Sequence, residues 1–121
     1  SLQECFQDDY GTLISLKEAS DLSNSDIYKT VCQVKDLFTR ISTNGNKYMM
    51  IEVSDNTSSA RLLLMDNQRE EKLSNFLLNN KLKKEDIIIV NASKSDGGTS
   101  FINTIKVIDT KILMKLRDIK K

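Results

Sequence analysis

The most informative part of the sequence is residues 47–67, KYMMIEVSDNTSSARLLLMDN. Polar and apolar side chains alternate through much of 47–54, which is typical of a β-strand with one buried face. The segment DNTSS at 55–59 is rich in turn-forming residues, and an apolar run follows over about 60–66. These features predict a β-hairpin whose second strand carries one basic side chain, Arg61.

Three further strands are predicted around this hairpin. Residues 27–38, IYKTVCQVKDLF, are rich in β-branched and aromatic residues, and the turn signal TNGN at 43–46 joins them to the next strand. The segments 86–92, DIIIVNA, and 100–108, SFINTIKVI, are also strand-like. They are joined by SKSDGGT, whose glycines permit a turn.

Two helices complete the predicted elements. In QREEKLSNFLLNNKL the charged residues separate from four apolar positions at near-helical spacing, which predicts a helix of about ten residues within about 67–79. The apolar positions are Leu73, Phe76, Leu77 and Leu82. The tail DTKILMKLRDIKK places Ile112, Leu116 and Ile119 on one face of a second helix, with Asp109 or Thr110 as its N-cap.

The order of these elements predicts an all-β protein with an OB-fold. That fold is a five-stranded Greek-key barrel in which a helix joins strands 3 and 4, and here a C-terminal helix follows it. A parallel β-α-β sheet would need helices between most strands, and an immunoglobulin-like sandwich would need about seven strands. We expect one domain, with a lead-in segment at 1–26 along the barrel, the barrel at 27–108 and the helix at 109–121.

Composition restricts the classes of function. The chain has 121 residues, a formal net charge of +1 and no His, and its two cysteines, Cys5 and Cys32, form no CxxC motif. These features argue against zinc sites and His-dependent catalysis, and no glycine-rich phosphate loop or paired catalytic carboxylates are recognisable. We therefore expect no enzyme activity, no cofactor and no metal. No apolar stretch is long enough to span a membrane, and the thiols are expected to be reduced.

Charge is distributed unevenly along the chain. Residues 81–121 contain ten basic and five acidic residues, an excess of five positive charges. Such a bias can provide a surface for an anion such as nucleic acid, but solvated helix faces produce it equally often.

Three strings resemble the single-stranded-DNA-binding OB domains of the replication protein A large subunit family. They are IYKTVCQVKDL, GNKYMMIEVSDNTSSARLLLMDN and KKEDIIIVNASKSDGGTSFI, and the resemblance covers about residues 10–120. Its most specific part is the hairpin, with a hydrophobic-acid-hydrophobic strand at Ile51–Asp55, a Ser/Thr turn at Thr57–Ser59 and an Arg-bearing strand from Arg61 to Asp66. The leader from Tyr10 to Leu16 also resembles telomere end-binding OB domains.

This resemblance implies single-stranded DNA binding in the nucleus, with G-rich telomeric DNA as the ligand of a replication protein A-like or telomerase-associated protein. The Pro-free composition rich in Asn, Ile and Lys is similar to that of ciliate proteins, and ciliates have a telomerase-associated paralogue of the large subunit. The implied partners are single-stranded DNA, sister OB domains of the same chain and other subunits contacted through the C-terminal helix. A protein-interaction OB domain within a multi-subunit complex is the main alternative, and RNA binding by a synthetase-like appendage is a third.

Strand alternation proposes which side chains face the ligand. If Met49, Ile51 and Val53 face the barrel interior, then Tyr48, Met50 and Glu52 face outward. A bulge in this strand would turn Met49 outward instead. If Leu62 and Leu64 face inward, then Leu63 and Met65 of the third strand face outward together with Arg61. The family places stacking rings near Tyr48, Met49, Met65 and residues 90–95, and only Tyr48 is aromatic there. The candidate nucleic-acid-binding residues are Tyr48, Met50, Arg61, Leu63, Met65, Lys94, Lys29 and Lys35.

The polar candidates have expected roles, most of them with a structural alternative. Tyr48 would stack on a base or simply cover the sheet, and Arg61 would contact a phosphate or pair with Glu52 across the hairpin. Lys94 in the loop between strands 4 and 5 would reach a phosphate. Lys29, Gln33 and Lys35 would form a polar stripe along the same groove, or a solvated face.

Five residues have structural assignments. The two methionines of the candidate set, Met50 and Met65, fill gaps in protein cores more often than they form ligand platforms. Phe76 and Phe101 are expected in the core. Asp55 is expected to cap its own turn rather than contact a ligand.

Overall fold

The computed structural model describes residues 12–66, 71–95 and 98–108. Its elements are α1 (Leu16–Ser20), β1 (Ile27–Ile41), β2 (Lys47–Ser54), β3 (Ser59–Met65), α2 (Lys72–Asn79), β4 (Ile87–Lys94) and β5 (Thr99–Ile108). The strands close into a barrel in the order β1-β2-β3-β5-β4. This order, with α2 between β3 and β4, confirms the predicted OB-fold.

The long first strand serves two neighbours. Residues 27–33 of β1 pair with β4, and the part from Gln33 to Ile41 pairs with β2. The register to β2 shifts between Val34 and Asp36, which marks a β-bulge. A bulge bends its strand and increases the local twist, so the two halves of β1 face different sides of the barrel. Pairing of β3 with β5 is parallel and completes the closure.

Alternating side chains of the strands fill the barrel. On β2, Met49, Ile51 and Val53 are at most 4% exposed, and Leu62 and Leu64 of β3 pack against them. Helix α2 covers the same core with Leu73 and Phe76, which confirms the predicted core position of Phe76. The remaining buried members of this cluster are Leu16, Cys32, Val34, Leu82, Ile88, Val90 and Ile102.

The residues before β1 attach to the barrel through hydrogen bonds. The Ile14 amide donates to the Lys29 carbonyl over 3.0 Å, and the Thr30 hydroxyl donates back to the Ile14 carbonyl over 2.8 Å. The following short helix α1, which was not predicted from the sequence, begins with a capping box between Ser15 and Glu18. The predicted C-terminal helix at 109–121 and the start of the lead-in segment lie outside the described residues.

The prediction that Phe101 belongs to the core is wrong. Ser100 and Ile102 occupy the inward positions of β5 on either side of it and are 3% and 4% exposed. Alternation along the strand therefore turns Phe101 to the outside, where 42% of it remains exposed. In the described part of the chain, no helix is long and apolar enough to cross a membrane.

Candidate nucleic-acid interface

The outward residues of the predicted hairpin form cross-strand pairs. Tyr48 lies opposite Met65, and Met50 lies opposite Leu63. Met49 is only 4% exposed, so the alternative in which it faces outward is wrong. The bulge that the alternative required lies in β1 instead. The geometry therefore places Tyr48, Met50, Leu63 and Met65 outside, as the alternation predicted; their role in binding stays a prediction.

A row of apolar side chains crosses this outer face. Phe38 lies opposite Met50, Met50 opposite Leu63, and Leu63 beside Phe101 on the parallel strand. The row, which we call the aromatic row, covers three inter-strand spacings, or about 14 Å. Its terminal rings are the most accessible members, with Phe38 38% and Phe101 42% exposed. The face therefore presents a continuous row of apolar side chains with a ring at each end.

A second row lies next to the aromatic row, toward the β1–β2 turn. It consists of Arg40, Tyr48 and Met65, which are neighbours on three adjacent strands. The guanidinium carbon of Arg40 lies 5.9 Å from the centroid of the Phe38 ring, within the range of a cation–π contact. This side of the face thus combines two rings with a cation.

A third row, on the other side of the aromatic row, is charged. It contains Asp36, Glu52, Arg61 and Thr99. Each of these residues lies beside the next one on the neighbouring strand, across β1, β2, β3 and β5. Asp36 is engaged by Lys84 at 3.6 Å. Glu52 and Arg61 lie directly opposite each other, yet within the described ranges no ion pair at 4.0 Å or less joins them. Among the described residues, no carboxylate forms an ion pair with the Arg61 guanidinium.

Lys35 lies close to this cation. Both residues line an open groove of about 470 Å³ together with Glu52. The Lys35 ammonium is 3.8 Å from the Glu85 carboxylate, an exposed pair of a kind that contributes little stability. A phosphate could replace such a partner at small cost. Lys35 and Arg61 are therefore the two cations of one edge of the face, which we call the cationic edge and which the acidic Glu52 also lines.

The structure places Lys94 and Lys29 apart from the two cations Lys35 and Arg61. Lys94 lies opposite the inward Ser100, and its Nζ donates to the carbonyl of Ser20 over 3.2 Å, at the end of α1. Lys29 lies opposite Asn91, in the half of β1 that pairs with β4. The predicted polar stripe is therefore divided, because β1 changes its neighbour at the bulge and its two halves face different surfaces.

The hairpin turn is held by Asp55. Its carboxylate accepts hydrogen bonds from the amides of Thr57 at 2.7 Å, Ser58 at 3.0 Å and Leu16 at 2.9 Å. Burial raises the pKa of Asp55, but the hydrogen bonds from Thr57, Leu16 and Ser58 outweigh this and lower the pKa below its ordinary value. Asp55 therefore caps its turn as predicted, and it also ties α1 to the edge of the face.

Two of the three rings were missed from sequence. Phe38 is the last residue of the predicted first strand and has no predicted role, and Phe101 is predicted in the core. The TNGN turn could have located Phe38. If the two strands pair residue by residue outward from this turn, Phe38 lies opposite Met50. No comparable signal existed for Phe101, because its neighbours on β3 are parallel and distant in sequence.

Together, these features define an OB-fold barrel with an open outer face that carries three rings, two methionines and cations on both sides. No family model matches the chain, and no curated protein matches it. Several solved structures have a similar fold. A domain of replication protein A from Methanococcus maripaludis superposes with a TM-score of 0.58 at 20% identity, covering 75% of this chain and 92% of that one.

Two further structures have the same fold. Rim1, a mitochondrial single-stranded DNA binding protein from S. cerevisiae, gives a TM-score of 0.57 at 15% identity, covering 72% of this chain and 98% of its own. The telomere capping protein Ten1 from Schizosaccharomyces pombe gives 0.57 at 15% identity, covering 88% and 90%. At these identities the similarity establishes the OB-fold and nothing more specific.

Proposed function

We propose that this chain is a binding module for single-stranded DNA and has no catalytic role. The observation that carries the proposal is the aromatic row, an exposed apolar surface on the outside of a barrel whose core is elsewhere. Bases stack on aromatic rings in a sequence-tolerant way, at about 1–3 kcal/mol per base. A double helix hides the faces of its bases, so this surface favours single strands.

The cations are placed to hold a backbone that crosses the row. Arg40 lies on one side of the aromatic row, and Arg61 and Lys35 lie on the other. Contacts from arginine and lysine to phosphates position a nucleic acid without reading its sequence. Rings for bases and flanking cations for phosphates are the two components that single-stranded nucleic acid sites combine.

The finer proposal concerns the biological ligand. We propose G-rich telomeric DNA, bound by a replication protein A-like or telomerase-associated protein in the nucleus. It is supported by the resemblance of the hairpin to replication protein A domains and by shared folds with a replication protein A domain and with Ten1. Sister OB domains of the same chain and other subunits are the proposed protein partners.

A titration tests both levels of the proposal. The chain is mixed with labelled oligonucleotides of poly-dT, of a G-rich telomeric repeat, of random sequence and of duplex DNA at several salt concentrations. We expect single strands to bind more tightly than duplex, with log K falling against log salt by about 0.7 per phosphate contacted. Equal affinity for telomeric and random strands would overturn the finer proposal alone.

The absence of any binding at low salt would overturn the general proposal. Salt-independent binding would do the same, because the cationic edges would then have no part in it. Either result would favour the alternative in which this face docks a protein partner.

A further inference from the structure

The aromatic row ends beside a second irregularity of the barrel. Between β4 and β5 the register shifts at Asn91 and Ala92, so that Ala92 lies opposite Ile102 while Asn91 lies opposite Thr104. Asn103 is the extra residue of this bulge. It lies two residues beyond Phe101 on β5, and Ser93 lies directly opposite that ring. Bulges frequently redirect a side chain at functional sites.

The redirected side chain enters a small amide network. The Asn103 Nδ2 donates to the Oδ1 of Asn91 over 3.1 Å and to the hydroxyl of Ser93 over 3.0 Å. This leaves the Asn103 carbonyl oxygen and the Asn91 amino group without a side-chain partner in the described chain. If both amides were turned over, the Asn91 carbonyl and the Asn103 amino group would be left instead. In either arrangement one carbonyl oxygen and one amino group have no side-chain partner among the described residues, and both side chains are half-buried.

We propose that Asn103 and Asn91 form a base-selective position of this interface, a step that rests on the proposed single-stranded DNA binding. A base stacked on Phe101 would present its edge to the amides on the same face of β5 and β4. Amides can both donate to and accept from base edges, whereas rings and methionines do not discriminate between bases by hydrogen bonds. The aromatic row therefore supplies affinity, and the amide pair supplies selectivity at one nucleotide.

Lys29 extends the same position. It lies opposite Asn91, and both residues line a groove of about 450 Å³ with the exposed Ile27, which is opposite Ser93. Lys29 lies next to the amides and away from the aromatic row. It is therefore placed to contact the phosphate of the nucleotide that follows the one stacked on Phe101. This assigns Lys29 to an end of the binding path rather than to the groove of Lys35.

The test compares affinities of the chain for dT, dC and dA 12-mers and for dT with one central dG. We expect the affinities of the parent for these oligonucleotides to differ by roughly tenfold, which is the discrimination typical of an amide contact to a base edge. Asn103→Leu, which removes both polar atoms at similar size, should reduce these ratios to about twofold. Phe101→Ala should instead weaken all four affinities by a similar factor, because stacking tolerates every base.

Controls separate this inference from folding and from the general proposal. Asn75→Leu replaces an exposed asparagine on α2 and should leave the ratios unchanged. If thermal melting shows that Asn103→Leu does not fold, Asn91→Val replaces it with the same expectation. Parent ratios near one, or ratios that persist in the folded variants, would overturn the base-selective position while DNA binding stands. Failure of the parent to bind any oligonucleotide would overturn the proposed function itself.

Discussion

Phe38 and Phe101 lie on the same outer face of the barrel, at the two ends of one row that crosses four strands. Met50 and Leu63 fill the row between them, so the rings belong to one continuous surface. Each ring is more than one-third exposed, although a barrel of this size buries most of its other large apolar side chains. A surface of this kind supports the proposed interaction site.

Removing either ring should weaken single-strand binding. Phe38→Ala and Phe101→Ala are each expected to cost about 1–3 kcal/mol in affinity without changing the salt slope, because stacking releases no counterions. Leu78→Ala on α2, which removes an 80% exposed apolar side chain away from this face, is the matched control. Equal affinities of the parent and both Phe variants in a fluorescence titration would contradict the stacking role.

Replacing Arg61 should affect binding and leave folding almost unchanged. Its guanidinium pairs with no described carboxylate, so Arg61→Ala should change the free energy of unfolding by less than about 0.5 kcal/mol. The salt slope should become shallower by about 0.7, the loss of one phosphate contact. Lys81→Ala, an exposed lysine outside the face, should change neither quantity. A destabilised Arg61 variant with parental affinity would restore a structural role for this residue.

Lys94 now has two competing roles. The sequence predicted a phosphate contact, whereas its ammonium donates to the Ser20 carbonyl at the end of α1. We expect Lys94→Ala to lower the free energy of unfolding by about 0.5–1.5 kcal/mol, the net contribution of one hydrogen bond, and to preserve affinity and salt slope. Lys35→Ala, at the cationic edge, should show the opposite pattern. Loss of DNA affinity in a fully stable Lys94 variant would support the phosphate contact.

Asp55 should make stability depend on pH in the acid range. Its pKa is lower in the folded protein than the ordinary value of 3.8, so the unfolded chain binds the proton more readily. The stabilisation is therefore complete above about pH 4 and is lost as pH falls through the lowered pKa. Asp55→Ala should cost about 1–2 kcal/mol at pH 7 and flatten the acid limb of a urea-denaturation series. Asp21→Ala, an exposed carboxylate, should retain the parental profile.

Cys32 should be unreactive in the folded protein. It is 0% exposed, and burial followed by the nearby Asp55 charge raises the pKa of its thiol far above the ordinary value. Alkylation needs the thiolate, so modification should proceed only through unfolding. With Cys5 replaced by Ser, iodoacetamide labelling followed by mass spectrometry should be slow in buffer and rapid in denaturant. Rapid labelling of the folded chain would show that this end of the barrel opens locally.

Much of the fold and half of the face could be predicted from the sequence. The β2–β3 hairpin was predictable because DNTSS fixes a tight turn and a buried face must alternate, so Tyr48 and Met50 had to lie on the side opposite Ile51. Helix α2 was predictable because Leu73 and Phe76 fall on one helical stripe. These features depend on residues close together in the chain.

The tertiary structure alone decided how distant strands share that face. Parallel pairing of β3 with β5 brings Phe101 beside Leu63, and the bulges in β1 and β5 separate Lys29 from Lys35 and turn Asn103 outward. A periodicity of two along a strand says which residues share a side, but not which side meets which neighbour. That is set by barrel closure and by single-residue register shifts, which leave no clear periodic signal in the sequence.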